Sequence, residues 1–285
     1  MPEITSQQVM TLRGKTGAGI MDCKNALKET DGDLEKAVEI LRKKGLSGLA
    51  KRAGREMKEG IARVKVSDDR KTYAMIEINC ETDFVARNPE VRSLGEELLG
   101  EMLAGKFSDP TRHDFAREKL RELAARVGEN MQIRRGTVYE KPRNGVVNYY
   151  VHGDMKKSAM VSLVLEKEPD EAAEKELMTL ARELAMQAVA MHPVYLKKED
   201  VPPKVIEKEK EIYRASPKAQ GKSETALSKM LEGRMRKFFE ENCLLEQVSI
   251  RDSRKKISTL VNEFSAKLGG EIKVEKFDCY IVGIE

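Results

Sequence analysis

The chain has 285 residues, 40% of them hydrophobic and 35% charged; at about twice the usual single-domain size, it is expected to form two or three compact units. Its 52 basic and 48 acidic side chains nearly cancel, leaving +4, which argues against a dedicated duplex-DNA binder that must neutralise phosphates. With 5% aromatics, no Trp, three His and four Cys without a CxxC pair, the composition disfavours base-stacking platforms, large aromatic-lined pockets, common zinc patterns and a secreted disulfide framework.

The opening Met1-Pro2-Glu3 leads straight into a polar helical segment without a signal- or transit-peptide pattern. No run approaches the roughly 18 apolar residues of a membrane span, so a cytoplasmic protein without membrane partners is expected. Thr5 and Gln8 form a capping-box pattern ahead of Val9 and Leu12, and Gly14 to Gly19 interrupt that first helix. A second helix carries Ile20, Met21, Ala26 and Leu27. Asp33 caps a third with Leu34, Ala37, Val38 and Leu41 at helical spacing, and Gly45 marks its end. Residues 1–54 therefore read as a small three-helix module, with the basic stretch Lys51–Arg55 leading out of it.

The period changes from helical to alternating at Gly60. Ile61–Val66 and Tyr73–Cys80 flank the turn tetrad Ser67-Asp68-Asp69-Arg70, which predicts a hairpin. Helical patterns follow through Leu94, Leu98, Leu99 and Met102, then through Phe115, Leu120, Leu123 and Val127. A second unit with the same grammar starts near Met131: strand runs at 131–139, 146–151 and 158–166, then a helix over about 171–191. The fold class is α+β, with a core of two antiparallel-sheet-and-helix subdomains. Their predicted boundaries are 55–130 for the first and 131–200 plus 244–285 for the second. Between them, 201–243 reads as an inserted antiparallel helical hairpin turning at Ser216-Pro217 and Gly221. By default such a charged hairpin is a solvated helical pair; its sharper reading, over 204–242, is dimerisation. Ile257–Leu268 forms an amphipathic helix, and the strand-like run from Ile272 to Ile284 is placed to add an edge to the second sheet.

No catalytic constellation emerges from these residues. Gly14-Lys15-Thr16 ends like a phosphate-binding loop, but Val9 occupies the position of its first glycine and the segment follows a helix rather than a strand. GxSxG and HExxH patterns are absent, and the cysteines at 23, 80, 243 and 279 read as reduced core residues. The expectation is a protein factor rather than an enzyme, without cofactor or bound metal. Thr82-Asp83-Phe84-Val85 admits two readings. One is a strand-to-helix connection in which Thr82 or Asp83 caps the helix and Phe84 staples it to the core. The other is a protruding loop that offers an acid and a large ring to a partner. His152, where a strand-like run meets Gly153, reads by itself as a surface or structural histidine.

Taken together, the segments resemble a known family. Leu12-Arg13-Gly14-Lys15-Thr16-Gly17-Ala18-Gly19-Ile20-Met21-Asp22-Cys23-Lys24-Asn25-Ala26-Leu27 is similar to the opening signature of bacterial translation elongation factor Ts. Glu77-Ile78-Asn79-Cys80-Glu81-Thr82-Asp83-Phe84-Val85-Ala86-Arg87 resembles the second signature of that family. Gly128–Arg135, His152-Gly153 and Glu232–Phe238 add matches in family order over nearly the whole chain.

The resemblance implies a guanine-nucleotide exchange factor for elongation factor Tu, bound in its GDP and nucleotide-free states. It further implies that the first module is ubiquitin-associated-like and that the hairpin is used for dimerisation. Thr82, Asp83, Phe84 and Val85 match the loop that dislodges Mg²⁺ from that GTPase. Ile20, Met21, Val127 and His152 match positions that contact it. Ile250 closes the segment Glu246–Ile250, which departs from a Pro-Phe-Val segment that contacts another domain of the GTPase in many relatives. The terminal helix of some relatives has no counterpart before Glu285. The competing class is a ribosome- or RNA-associated binding module, suggested by the basic stretches Lys51–Arg55 and Arg251–Lys256.

Overall fold

The computed structural model describes residues 4–52, 54–216 and 223–284. Its architecture is mixed α+β, with ten α-helices and two three-stranded sheets among the described residues. The chain divides into two compact units. The first holds everything up to Val138 together with Gly153–Lys156 and the residues from Ile281 onward. Tyr139–His152 and Lys157–Tyr280 form the second.

The first unit opens with three helices, α1 (Ser6–Thr16), α2 (Ile20–Glu29) and α3 (Leu34–Arg52). The capping box forms as the sequence predicts: Gln8 N donates to Thr5 Oγ1 at 3.2 Å, and Thr5 N donates to Gln8 Oε1 at 2.9 Å. Asp33 caps α3 by accepting from Glu35 N at 3.0 Å and Lys36 N at 3.1 Å. Val9, Leu12, Cys23, Ala26, Leu27, Ala37 and Leu41 form this module's core. Gly14-Lys15-Thr16 lies in the last turn of α1, so no phosphate-cradling loop exists there.

Strands β1 (Glu59–Val66) and β2 (Thr72–Cys80) form an antiparallel hairpin, with Val66 opposite Tyr73 at the turn end and Glu59 opposite Cys80 at the open end. Gly60, at φ 148°, faces Asn79; a Cβ there would stand 2.1 Å from the Ile78 carbonyl oxygen. Only glycine lets the strands approach so closely at that point. The chain continues through α4 (Asp83–Ala86), α5 (Pro89–Leu103) and α6 (Asp114–Val127). Ala74, Ile76, Ile78 and Cys80, two residues apart on β2, share one core with Val91, Leu94, Leu98, Leu99, Leu120 and Leu123. Each large aliphatic side chain fully buried here contributes roughly 1.5–3 kcal/mol.

Two expectations change in this unit. The run read as opening the second unit is β3 (Met131–Glu140), which lies beside β2 in the order β1-β2-β3. Met131 and Ile133 drop into the first core, and Arg135 Nε meets the fully buried Glu77 carboxylate at 2.6 Å, which ties the strand to β2. The third helix also continues past Gly45 to Arg52. A Cβ at Gly45 would lie 3.1 Å from Ala125 Cβ and 3.3 Å from Ala125 O. The glycine therefore serves a close helix–helix approach rather than a helix stop.

In the second unit β4 (Gly145–Val151) and β5 (Lys157–Leu165) form another antiparallel hairpin, followed by α7 (Glu171–Met191). Gly145 repeats the device of Gly60: a Cβ there would stand 2.0 Å from the Leu163 carbonyl oxygen. Helices α8 (Pro203–Arg214) and α9 (Glu224–Asn242) pack together, with Arg234 Nη2 2.8 Å from Glu209 Oε1. The turn predicted at Pro217 and Gly221 lies outside the described residues. Helix α10 (Ile257–Leu268) precedes β6 (Ile272–Ile281), which completes the sheet in the order β4-β5-β6. Val146, Val161, Leu163 and Leu165 from the sheet meet Leu177, Leu180, Leu184 and Ala188 of α7 and Ile257 of α10. No helix among the described residues is long and apolar enough to cross a membrane.

Candidate functional site

The segment after β2 is a tight turn built around one side chain. Thr82 has extended backbone angles (φ −125°, ψ 156°) and caps α4, its Oγ1 accepting from Val85 N at 3.4 Å. Six residues later Asn88 caps α5 by accepting from Glu90 N at 2.9 Å, with Pro89 in the first turn. Two caps six residues apart leave α4 one turn long. Ala86 is buried and Val85 packs against the first core, so one side of the turn is anchored. Phe84 points the other way and is 82% exposed. Of the two readings of this segment, Thr82 capping holds and the Phe84 staple does not: the ring projects into solvent. Asp83 forms an ion pair with Arg87 at 3.1 Å, one helical turn away.

The turn is held from a distant part of the chain. Glu129 Oε2 accepts from Glu81 N at 3.1 Å and Thr82 N at 3.0 Å, while its Oε1 accepts from Thr82 Oγ1 at 2.5 Å. Glu81 reaches back in return: its carboxylate accepts from Asn130 N at 2.6 Å and from Arg55 Nη1 at 3.2 Å. The Asn130 amide, and then Arg55, hold the Glu81 carboxyl below the usual carboxylate range. The Cys80 thiol donates to Thr82 O at 3.2 Å. Burial, then the Glu129 and Glu59 charges, push that thiol up to about 12, so it remains a protonated donor rather than a nucleophile.

The other predicted positions are distributed over both units. Ile20 and Met21 open α2 and are 49% and 64% exposed, an apolar pair facing solvent. Val127, the last residue of α6, is half-buried against the same core as Val85. In the second unit His152 is exposed, its Nδ1 3.2 Å from the Tyr150 hydroxyl and its ring edge-on to Tyr150 at 6.1 Å. Ile250 is exposed beside Val248, while its backbone N–H donates to the fully buried Gln187 at 2.8 Å. Gln187 also donates to Gln247 Oε1 and Val248 O, both at 3.1 Å, so the departing 246–250 segment is firmly held.

These features offer surfaces rather than reaction chemistry: an exposed ring on a clamped turn, and apolar residues facing solvent. Among the described residues, no group of three or more His, Cys, Asp or Glu is placed to hold a metal ion.

Comparison with known proteins supplies the lineage. The family model described as "Elongation factor TS" matches residues 81–284. An elongation factor Ts of Symbiobacterium thermophilum is 42% identical over 284 residues, covering 99% of this chain and 93% of the relative. Those of Clostridium botulinum strain Alaska E43 and Clostridium perfringens strain SM101 are 42% and 43% identical, each covering 96% of this chain and 91% of the relative. The chain belongs to the elongation factor Ts family.

Within this chain, Glu81 and Glu129 are the residues whose part at the turn sequence reasoning missed. Both lie in family-like segments, yet nothing in either segment alone shows that their carboxylates trade partners. A signal was available in the chemistry: two acidic residues flank backbone turns that must satisfy orphan amides.

Proposed function

We propose that this chain is a guanine-nucleotide exchange factor for elongation factor Tu, acting in translation elongation in the cytoplasm without covalent chemistry of its own. Thr82, Asp83, Phe84 and Val85 enter the GTPase beside its Mg²⁺ site and dislodge the ion. Ile20 and Met21 of the 1–54 module pack on the nucleotide domain. Val127 and His152 act near the phosphate-binding region, and Ile250 meets another domain. The 204–242 hairpin is the proposed homodimer contact. The observation that carries this reading is the Phe84 ring, 82% exposed on a turn whose other side is anchored in the core. A large apolar ring held out in water at an ordered tip is what a partner's pocket can accept.

The energetics require such a device. A GTPase holding GDP at ~nM affinity has about 12 kcal/mol in that complex, so spontaneous release is slow. A factor that binds the nucleotide-free state more tightly lowers nucleotide affinity by the same coupling free energy, and entering nucleotide weakens the factor in return. Displacing the divalent ion removes the charge that had stabilised the phosphates. Stopped-flow release of fluorescent GDP from elongation factor Tu, with and without this protein, tests the reading. Acceleration that is lost in Phe84→Ala while the complex still forms supports it; release at the unassisted rate would eliminate it.

A further inference from the structure

The exposed ring of Phe84 poses a physical problem. Little packing holds it, and α4 is a single turn, far below the length at which a helix is stable alone. Its direction is therefore set by the backbone of residues 81–85, and that backbone is fixed chiefly by one carboxylate. Glu129 accepts the Glu81 amide, the Thr82 amide and the Thr82 hydroxyl, at 3.1, 3.0 and 2.5 Å. The Thr82 hydroxyl in turn accepts from Val85 N, so its single proton is committed to Glu129. Bonds to a charged acceptor are roughly twice as strong as neutral ones, and three converge here. The Glu81 bond to Asn130 N locks the giving segment to the receiving one.

We propose that Glu129 is a positioning residue that pre-orders the Thr82–Val85 turn, so that Phe84 is presented in one direction before any partner arrives. A loop already ordered loses little entropy on insertion, whereas a loose one must be ordered during binding. The effect falls on the rate at which bound nucleotide is expelled, and less on how tightly the partner is held. This role rests on the exchange-factor reading given above.

The chain has no Trp, so Phe84→Trp places a sole indole at the tip. Time-resolved anisotropy of that variant, without any partner, reads the order of the turn directly. Adding Glu129→Gln or Thr82→Val should increase the amplitude of the fast, local component about twofold or more, whereas Thr82→Ser, which keeps the hydroxyl, should restore the ordered decay. Should Glu129→Gln unfold the first unit, Thr82→Val carries the same measurement with two bonds removed, the one to Glu129 and the one from Val85 N. An unchanged fast component in Glu129→Gln and Thr82→Val alike would overturn the proposal, whatever the exchange activity. With Phe84 in place, Glu129→Gln should lower the maximal GDP-release rate about tenfold while shifting the half-saturating concentration less than about threefold. Equal rates, where Phe84→Ala does slow release, would also overturn it. A Phe84→Ala variant that exchanges normally would instead remove the functional reading and leave the ordering of the turn standing.

Discussion

Glu81 and Asn130 meet at 2.6 Å across 49 residues of chain, the carboxylate of one accepting the backbone amide of the other. With the Glu129 bonds to residues 81 and 82, this makes the junction between β2 and α4 reciprocal: each segment supplies an acid to the other's amides. Charge-assisted bonds of this kind depend on ionisation, which gives the junction a defined response to acid.

The Glu81 carboxyl titrates below its ordinary value because the Asn130 amide, then Arg55, favour the charged form. For a depressed acid the unfolded state binds more protons, so the stabilisation is complete above about pH 4.3 and is lost as pH falls through the folded value. Comparing the thermal midpoints of wild type and Glu81→Gln across pH should show a constant gap at neutral and mildly acidic pH. The gap should close only below about pH 4.3. A gap that closes between pH 5 and 7 would mean another group carries the effect.

Two glycines should respond to alanine in opposite directions. Gly60→Ala drives a Cβ to within 2.1 Å of the Ile78 carbonyl oxygen, and φ 148° is unfavourable for an L-residue. Gly233 sits inside α9, and among the described residues nothing beyond its own helix backbone and chain neighbours comes within 4 Å of its would-be Cβ. Urea unfolding should show Gly60→Ala destabilised by about 3 kcal/mol and Gly233→Ala stabilised by about 0.5–1 kcal/mol. Equal effects at the two sites would contradict the strand geometry at Gly60.

Much of the secondary structure is written in local periodicity. Ile257–Leu268 and Glu171–Met191 are helices at the boundaries that the apolar spacing and flanking polar residues indicate, and Ser67–Arg70 turns the first hairpin. What local pattern cannot encode is partnership. Met131 and Ile133 alternate as any half-buried strand would, and only the pairing beside β2, with Arg135 on buried Glu77, assigns that strand to the first sheet. Gly45 after an apolar run has the form of a helix end, yet its purpose is set by Ala125, 80 residues later in sequence. At the site, the Thr82 cap could be read from the residue type and Phe84 from family resemblance. The exposure of Phe84 and the Glu129 clamp depend on tertiary placement and could not.

The approach of α3 to α6 should be governed by size rather than charge. Arg42 Nη2 lies 2.7 Å from Glu122 Oε1, but both side chains are well exposed, so solvent screens the pair and Arg42→Ala should cost under about 1 kcal/mol. Gly45→Leu places four carbons where even a Cβ lies 3.1 Å from Ala125, and should cost about 1–3 kcal/mol by forcing the helices apart. Denaturant midpoints for the two variants decide the matter; a larger loss in Arg42→Ala would reverse the ranking.

His192 should make the second unit sensitive to mild acid. It ends α7 in the left-handed region at φ 51°, its N–H bonded to Ala188 O at 2.9 Å and its Nε2 buried without a hydrogen-bond partner among the described residues. Burial, then the charge of Lys157, hold its pKa below the ordinary imidazole value, against a hydrogen bond to the Val189 backbone that works the other way. For a base with a depressed folded pKa the unfolded chain again binds more protons. Stability is therefore unaffected well above about pH 6.5 and declines as pH falls from there through the folded value. Asn tolerates the left-handed region and carries no titrating group, so His192→Asn should match wild type at pH 8 to within about 1 kcal/mol. Below about pH 6 it should unfold at a higher urea concentration than wild type. Parallel pH profiles for the two proteins would show that His192 is already solvated in the folded state.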